Sequence, residues 1–296
     1  GGGSFGAENL AGTSSRRTLL RDSGLRFIGI LKDRNMTEEE LLESTDLFLL
    51  DLDGTVYLSE KPIGDMIGTL SRLRKMGKRI GYLTNNCSKT VREYEVSLRR
   101  IGILEDGDRI FTPGVAAAEL LKTEYRGKRV HVLGTDAMKN YLAEEGIALV
   151  DADPEVCLLA YDTCVTFERL KRFNEFLQTG APYLATHADA VCPTDGFPMP
   201  DVGAFIAFFE CASGRRPDVV CGKPHTALWR CVQKAYGLPA ERVCMVGDRL
   251  YTDIRFGNRH GLRTVLVLTG DATEADAAVS EDKPDLILQD FNGIFG

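Results

Sequence analysis

Four short stretches of this chain bring together side chains able to handle an anionic group. Asp51-Leu52-Asp53-Gly54-Thr55 sets two carboxylates close together, and Thr84-Asn85-Asn86 offers a hydroxyl and amide donors. Gly222-Lys223-Pro224 contributes a cation, and Gly247-Asp248 runs on to a further carboxylate at Asp253. Carboxylates can attack as nucleophiles, move protons, or hold a hard cation such as Mg²⁺. A lysine, a hydroxyl and backbone N–H groups can neutralise and orient an anion while its bonds change.

Such groups must be positioned, and the surrounding pattern says how. Leu47-Phe48-Leu49-Leu50 is a short apolar run ending in Asp51, and Arg79–Thr84 is a second run ending at Asn85. Val219–Cys221 leads into Lys223, and Arg242–Val246 enters Gly247-Asp248. Short apolar runs bounded by turn residues suit buried parallel strands. Helical segments are expected at about 64–76, 88–100, 114–123, 136–145, 166–178 and 201–213. Further strands are expected at Lys128–Leu133, Val156–Ala160, Thr264–Leu268 and near Asp285–Leu288. Thr90 and Glu93 stand at capping-box spacing, and Pro224 suits a helix start. Alternating strand and helix implies a parallel sheet covered on both faces. All four chemical groups then lie at the C-terminal edge of that sheet, where open α/β sheets bind ligands.

In order and spacing these motifs resemble the haloacid dehalogenase-like phosphatase superfamily, in its NagD-like, 4-nitrophenylphosphatase (class IIA) branch. The stretches that carry the resemblance are Asp51–Tyr57, Leu83–Asn86, Cys221–Pro224 and Val246–Ile254. It implies an α/β fold: a Rossmann-like parallel-sheet core with an inserted α/β cap of the C2 type. It also implies a Mg²⁺-dependent phosphomonoester hydrolase working through an aspartyl-phosphate. Asp51 would be the nucleophile and Asp53 the acid and base. Mg²⁺ would sit on the Asp51 carboxylate, the Asp53 backbone carbonyl and the Asp248 carboxylate. Asp253 would orient the metal's waters, or serve only as a carboxylate in a first helical turn. Thr84, Asn85, Asn86 and Lys223 would bind the phosphoryl group. Gly54 would relieve the turn after Asp53. The same chemistry leaves open a phosphomutase that passes the phosphoryl group to a sugar hydroxyl, and a non-catalytic phosphate sensor.

The resemblance implies core at 36–108, cap at 109–216 and core again at 217–296. Residues 1–35 are Gly/Ser/Arg-rich and poorly periodic, and are expected to be a leader outside the fold; the Arg16-Arg17 pair lacks the apolar run an export signal needs. In the cap, Thr186–Pro200 is a proline-bearing loop of the kind that carries function. Its Thr186-His187-Ala188-Asp189 stands where relatives carry Thr-Asn-Pro-Asp, and Asp201 stands where they carry glycine. His187 is expected to contact substrate or to face solvent. Asp189 and Asp162 also match family positions.

The formal net charge is -7 and no basic run occurs, which argues against nucleic acid or an anionic membrane as partner. Eight cysteines without a Cys-x-x-Cys pair read as thiols in a reducing, cytoplasmic compartment. The expected partner is a small phosphorylated metabolite, with a homodimer open.

Overall fold

A computed structural model describes residues 36–192 and 197–296. The expectation for the leader at 1–35, and the Pro193 part of the cap loop, lie outside those residues.

The strand Leu47–Leu50 shows how the fold is built. All four residues are buried. Side chains alternate across a strand, and here Leu47 and Leu49 enter one apolar cluster while Phe48 and Leu50 enter another. An apolar run of this kind needs cover on both faces, which crossover helices supply to a parallel sheet. Each fully buried Leu or Phe contributes roughly 1.5–3 kcal/mol.

Leu47–Leu50 pairs in parallel with Val243–Gly247 on one side and Arg79–Leu83 on the other. The six-stranded sheet runs Leu286–Leu288, Arg263–Val267, Val243–Gly247, Leu47–Leu50, Arg79–Leu83, Arg109–Phe111, all parallel. The order reverses beside Leu47–Leu50, and such a switch point opens a crevice at the C-terminal edge. A second parallel sheet runs Val219–Val220, Tyr183–Ala185, Val156–Leu159, Arg129–Leu133, Ala148–Leu149. One apolar cluster continues from Leu47, Leu49 and Phe111 of the first sheet into Val132, Leu158 and Leu184 of the second.

Sheet membership falls a few residues from the sequence-based limits. Arg109–Phe111, placed at the head of the inserted segment, pairs with Gly81–Leu83 of the first sheet. Val219–Val220, placed after the insert, pairs with Leu184–Ala185 of the second. Strands of two or three residues carry too little pattern to show their partners.

Threonines cap the helices as their spacing predicts. Thr90 Oγ1 accepts from the Glu93 N–H, and Glu93 Oε2 accepts from the Thr90 N–H at 2.7 Å, fixing the helix Val91–Arg100. The helix after Lys223 begins at Thr226 with His225 as its N-cap, so Pro224 precedes the helix instead of opening it. Among the described residues no helix is long and apolar enough to cross a membrane.

Candidate active site

Asp51 leaves the strand Leu47–Leu50 at its C-terminal end, with its N–H bonded to the Val246 carbonyl at 2.9 Å. The chain then turns sharply. Gly54 takes φ +87°, and a Cβ there would stand 2.6 Å from Asp248 Oδ2. Only glycine allows both the left-handed backbone and this approach, as the sequence implied. Asp248 ends the neighbouring strand; its Oδ1 accepts from Thr55 Oγ1 at 3.3 Å and its Oδ2 from the Asp271 N–H at 2.8 Å. The Asp253 carboxylate packs beside Gly247, where a Cβ would meet Asp253 Cβ at 2.3 Å.

Lys223 sits between these acids with its side chain only 2 % exposed. Its Nζ donates to Asp51 Oδ1 at 2.6 Å, Asp253 Oδ1 at 2.7 Å and the Leu83 carbonyl at 2.8 Å. The Asn85 amide clamps its backbone from both sides: Nδ2 donates to the Lys223 carbonyl at 3.0 Å, and Oδ1 accepts from the Lys223 N–H at 2.8 Å. Gly222 lets the clamp close, since a Cβ there would lie 2.7 Å from Asn85 Oδ1 and 2.9 Å from His187 Cβ.

Asp51, Asp248 and Asp253 each bring a carboxylate oxygen within 4.8 Å of the others. All three are buried. Burial pushes Asp51 well above the usual carboxylate range, Lys223 opposes that rise, and Asp253 and Asp248 add to it. Burial and then Asp253 raise Asp248 to about 6. Burial also raises Asp53. When ionised, these three carboxylates carry more negative charge than the one lysine buried among them neutralises. A divalent cation with oxygen ligands corrects such an excess, so the donor set fits Mg²⁺. Asp253 has one oxygen on Lys223 and the other on the Arg249 N–H at 3.1 Å, which commits it to holding its neighbours in place.

A cavity opens over Asp51 and Lys223. Asp51, Asp53, Thr84, Asn85, Asn86 and Lys223 line it. Thr84 Oγ1 accepts from the Asn86 N–H at 3.0 Å. Arg249, Thr252, Asp189, Val191, Cys192 and Asp201 complete the wall. The sequence reading missed Arg249, Thr252 and Cys192, although Arg249 and Thr252 lie within a motif it quoted.

His187 does not reach this wall. Its ring is 1 % exposed; Nε2 pairs with Asp201 Oδ1 at 2.9 Å and Nδ1 bonds Thr186 Oγ1 at 3.1 Å. Asp201 Oδ1 also accepts from the Val202 N–H and so caps the helix Val202–Ser213. The two positions that depart from the family pattern therefore form one buried pair. It closes the base of a loop whose Asp189, Val191 and Cys192 face the cavity. Asp162 also lies elsewhere, bound to Arg169 at 2.6 Å.

Comparison with known proteins agrees with this geometry. A family model described as haloacid dehalogenase-like hydrolase matches residues 48–148, and a HAD-hydrolase-like model matches 220–294. Phosphoglycolate phosphatase 2 of Arabidopsis thaliana is 31 % identical over 264 residues, spanning 80 % of this chain and 87 % of the relative. The solved 4-nitrophenylphosphatase of Thermotoga maritima superposes with a TM-score of 0.81 at 35 % identity, covering 85 % of this chain and 97 % of its own. A Mycobacterium tuberculosis glycerol phosphate phosphatase, solved in complex with magnesium, gives a TM-score of 0.79 at 30 % identity, covering 86 % and 78 %. The chain belongs to the haloacid dehalogenase-like hydrolases, among the phosphatases of the 4-nitrophenylphosphatase and NagD branch.

Proposed function

We propose that the protein hydrolyses small phosphomonoesters with Mg²⁺ by way of a phosphoryl group carried on Asp51. The observation that carries this reading is Lys223 Nζ bridging Asp51 and Asp253 inside a buried triad of carboxylates. That arrangement holds an oxyanion nucleophile at the foot of a cavity while placing fixed positive charge beside it.

Asp51 and Asp248, with the Asp53 backbone carbonyl, would hold the Mg²⁺, which offsets charge between the carboxylate and the phosphoryl group. A carboxylate oxygen of Asp51 attacks phosphorus, and the bond from phosphorus to the ester oxygen breaks. Asp53, whose carboxyl burial favours the protonated form, gives its proton to the departing oxygen. The resulting Asp53 carboxylate takes a proton from a water that attacks the same phosphorus. The bond to Asp51 then breaks, releasing inorganic phosphate and restoring both acids. Thr84 Oγ–H and the Asn85 N–H donate to the phosphoryl oxygens, and Lys223 fixes the attacking carboxylate.

The six-stranded sheet and its helices form the catalytic core on this reading, and the second sheet forms a cap that meets the leaving group. The relatives' named substrates, phosphoglycolate and glycerol phosphates, define the class to test first. All eight cysteines are free thiols, in keeping with a cytoplasmic setting. The test is release of inorganic phosphate from a panel of phosphomonoesters, with Mg²⁺ and with a chelator. Metal-dependent release supports the reading. Isomerisation of a sugar phosphate without release supports the phosphomutase instead.

A further inference from the structure

Two residues of the cavity wall, Val191 and Cys192, form a strand that pairs antiparallel with Met199–Pro200. The ladder is two residues long on each side, and Val191 and Met199 are about half exposed. Apolar burial therefore does little to hold it. So short a ladder also specifies its register weakly, and a slip by one residue would turn its side chains to the other face.

The two departures from the family pattern meet at the root of these strands. His187 precedes the first strand and Asp201 follows the second, with His187 Nε2 2.9 Å from Asp201 Oδ1. Beside them the Asp201 N–H donates to the Ala190 carbonyl at 3.0 Å, and the Gly203 N–H to the Asp189 carbonyl at 2.8 Å. On its other side His187 rests against the segment that leads into Lys223. The Gly222 N–H donates to the Thr186 carbonyl at 2.6 Å, and a Cβ on Gly222 would lie 2.9 Å from His187 Cβ. The pair thus ties the paired strands to fixed ground at the catalytic edge. A buried charged pair adds little net stability for what its desolvation costs, and its best-attested use is to fix one register against the alternatives.

We propose that His187 and Asp201 are positioning residues, which as a pair set the strands Val191–Cys192 and Met199–Pro200 against the leaving group and so decide how tightly a given phosphomonoester is held. The inference rests on the phosphatase reading above. The phosphoryl end of the cavity has supports of its own, Lys223 on Asp51 and Asn85 on the Lys223 backbone. Loosening the strands should leave that end in place.

The test uses the full chain with Mg²⁺ and the variants Asp201→Asn, His187→Asn and the two combined, assayed well below the Tm measured for each. The probes are the ester that the wild-type protein turns over best and, as inhibitor, inorganic phosphate, which has no leaving group. Each single variant should raise KM for the ester roughly tenfold with kcat within about threefold, and inhibition by phosphate should stay within about twofold of wild type. The double variant should lose no more than either single one, because all three break the same contact. It also strands no charge, so it carries the test should a single variant not fold. A purely structural pair would lower Tm and leave KM unchanged in the folded protein, which overturns the proposal. Phosphate inhibition weakened as much as ester binding overturns it too, since the pair would then act on the phosphoryl end. A rise in KM confined to Asp201→Asn, with His187→Asn at wild-type values, makes Asp201 a direct contact and overturns the pairing. Wild-type protein that releases no phosphate from any ester would instead remove the phosphatase reading itself.

Discussion

Replacing Asp201 by asparagine tests the buried pair that the two departures from the family pattern create. Asparagine keeps the oxygen that accepts from the Val202 N–H, so the helix cap survives. What is lost is the carboxylate charge 2.9 Å from His187 Nε2, in a place where His187 is 1 % and Asp201 7 % exposed by side chain. Removing one partner of a buried pair strands the other, which costs about 3–5 kcal/mol. In a chain of this size that is a fall of roughly 10 °C in Tm. The loss should also depend on pH. Burial opposes a charged imidazole, but the hydrogen bonds to Asp201 and Cys87 outweigh it and raise His187 from 6.5 to about 10. A raised histidine stabilises the fold fully below its unfolded value, near pH 6.5, and the contribution fades as pH climbs through the folded value. Urea unfolding of both proteins from pH 6 to pH 10 should show the gap widest at pH 6 and nearly closed at pH 10. A gap below about 1 kcal/mol at pH 6, or one that stays constant with pH, refutes the reasoning.

Two further substitutions probe the core. Asp53→Asn keeps the backbone carbonyl, so Mg²⁺ titration should be unchanged while turnover falls about 10²- to 10⁴-fold; an unaltered rate removes the acid–base role. Gly54→Ala forces a side chain into φ +87° and against Asp248 Oδ2. It should cost about 1–3 kcal/mol in urea unfolding and weaken Mg²⁺ binding roughly tenfold or more, and wild-type values for both would contradict the close approach.

Three motifs were legible because they follow buried apolar strands of the six-stranded sheet, whereas Lys223, expected at the same edge, follows Val219–Val220 of the second sheet. Leu47–Leu50 is buried at every position, so its four residues could be read from composition alone. Thr90 and Glu93 encode a local capping box, and local interactions survive in sequence. Long-range pairings do not. Nothing near Val219 or Arg109 says which sheet each joins, because the partner lies far along the chain. The His187–Asp201 pair was invisible for the same reason: each residue could be seen as a departure, but not that one departure answers the other. Arg249 was read only as part of a motif. Its place in the cavity wall beside Asp51 and Lys223 is a property of three-dimensional neighbours.

The central claim is that Asp51 carries the phosphoryl group. Asp53→Asn protein offers the cleanest view, since nitrophenolate departs with little help from an acid, while the second step lacks its base. Mixed with labelled 4-nitrophenyl phosphate and Mg²⁺ and quenched in acid, that protein should hold the phosphoryl label on the peptide containing Asp51, and the Asp51→Asn, Asp53→Asn double variant should hold none. Label on another residue, or wild-type rates of phosphate release from Asp51→Asn alone, would contradict the account.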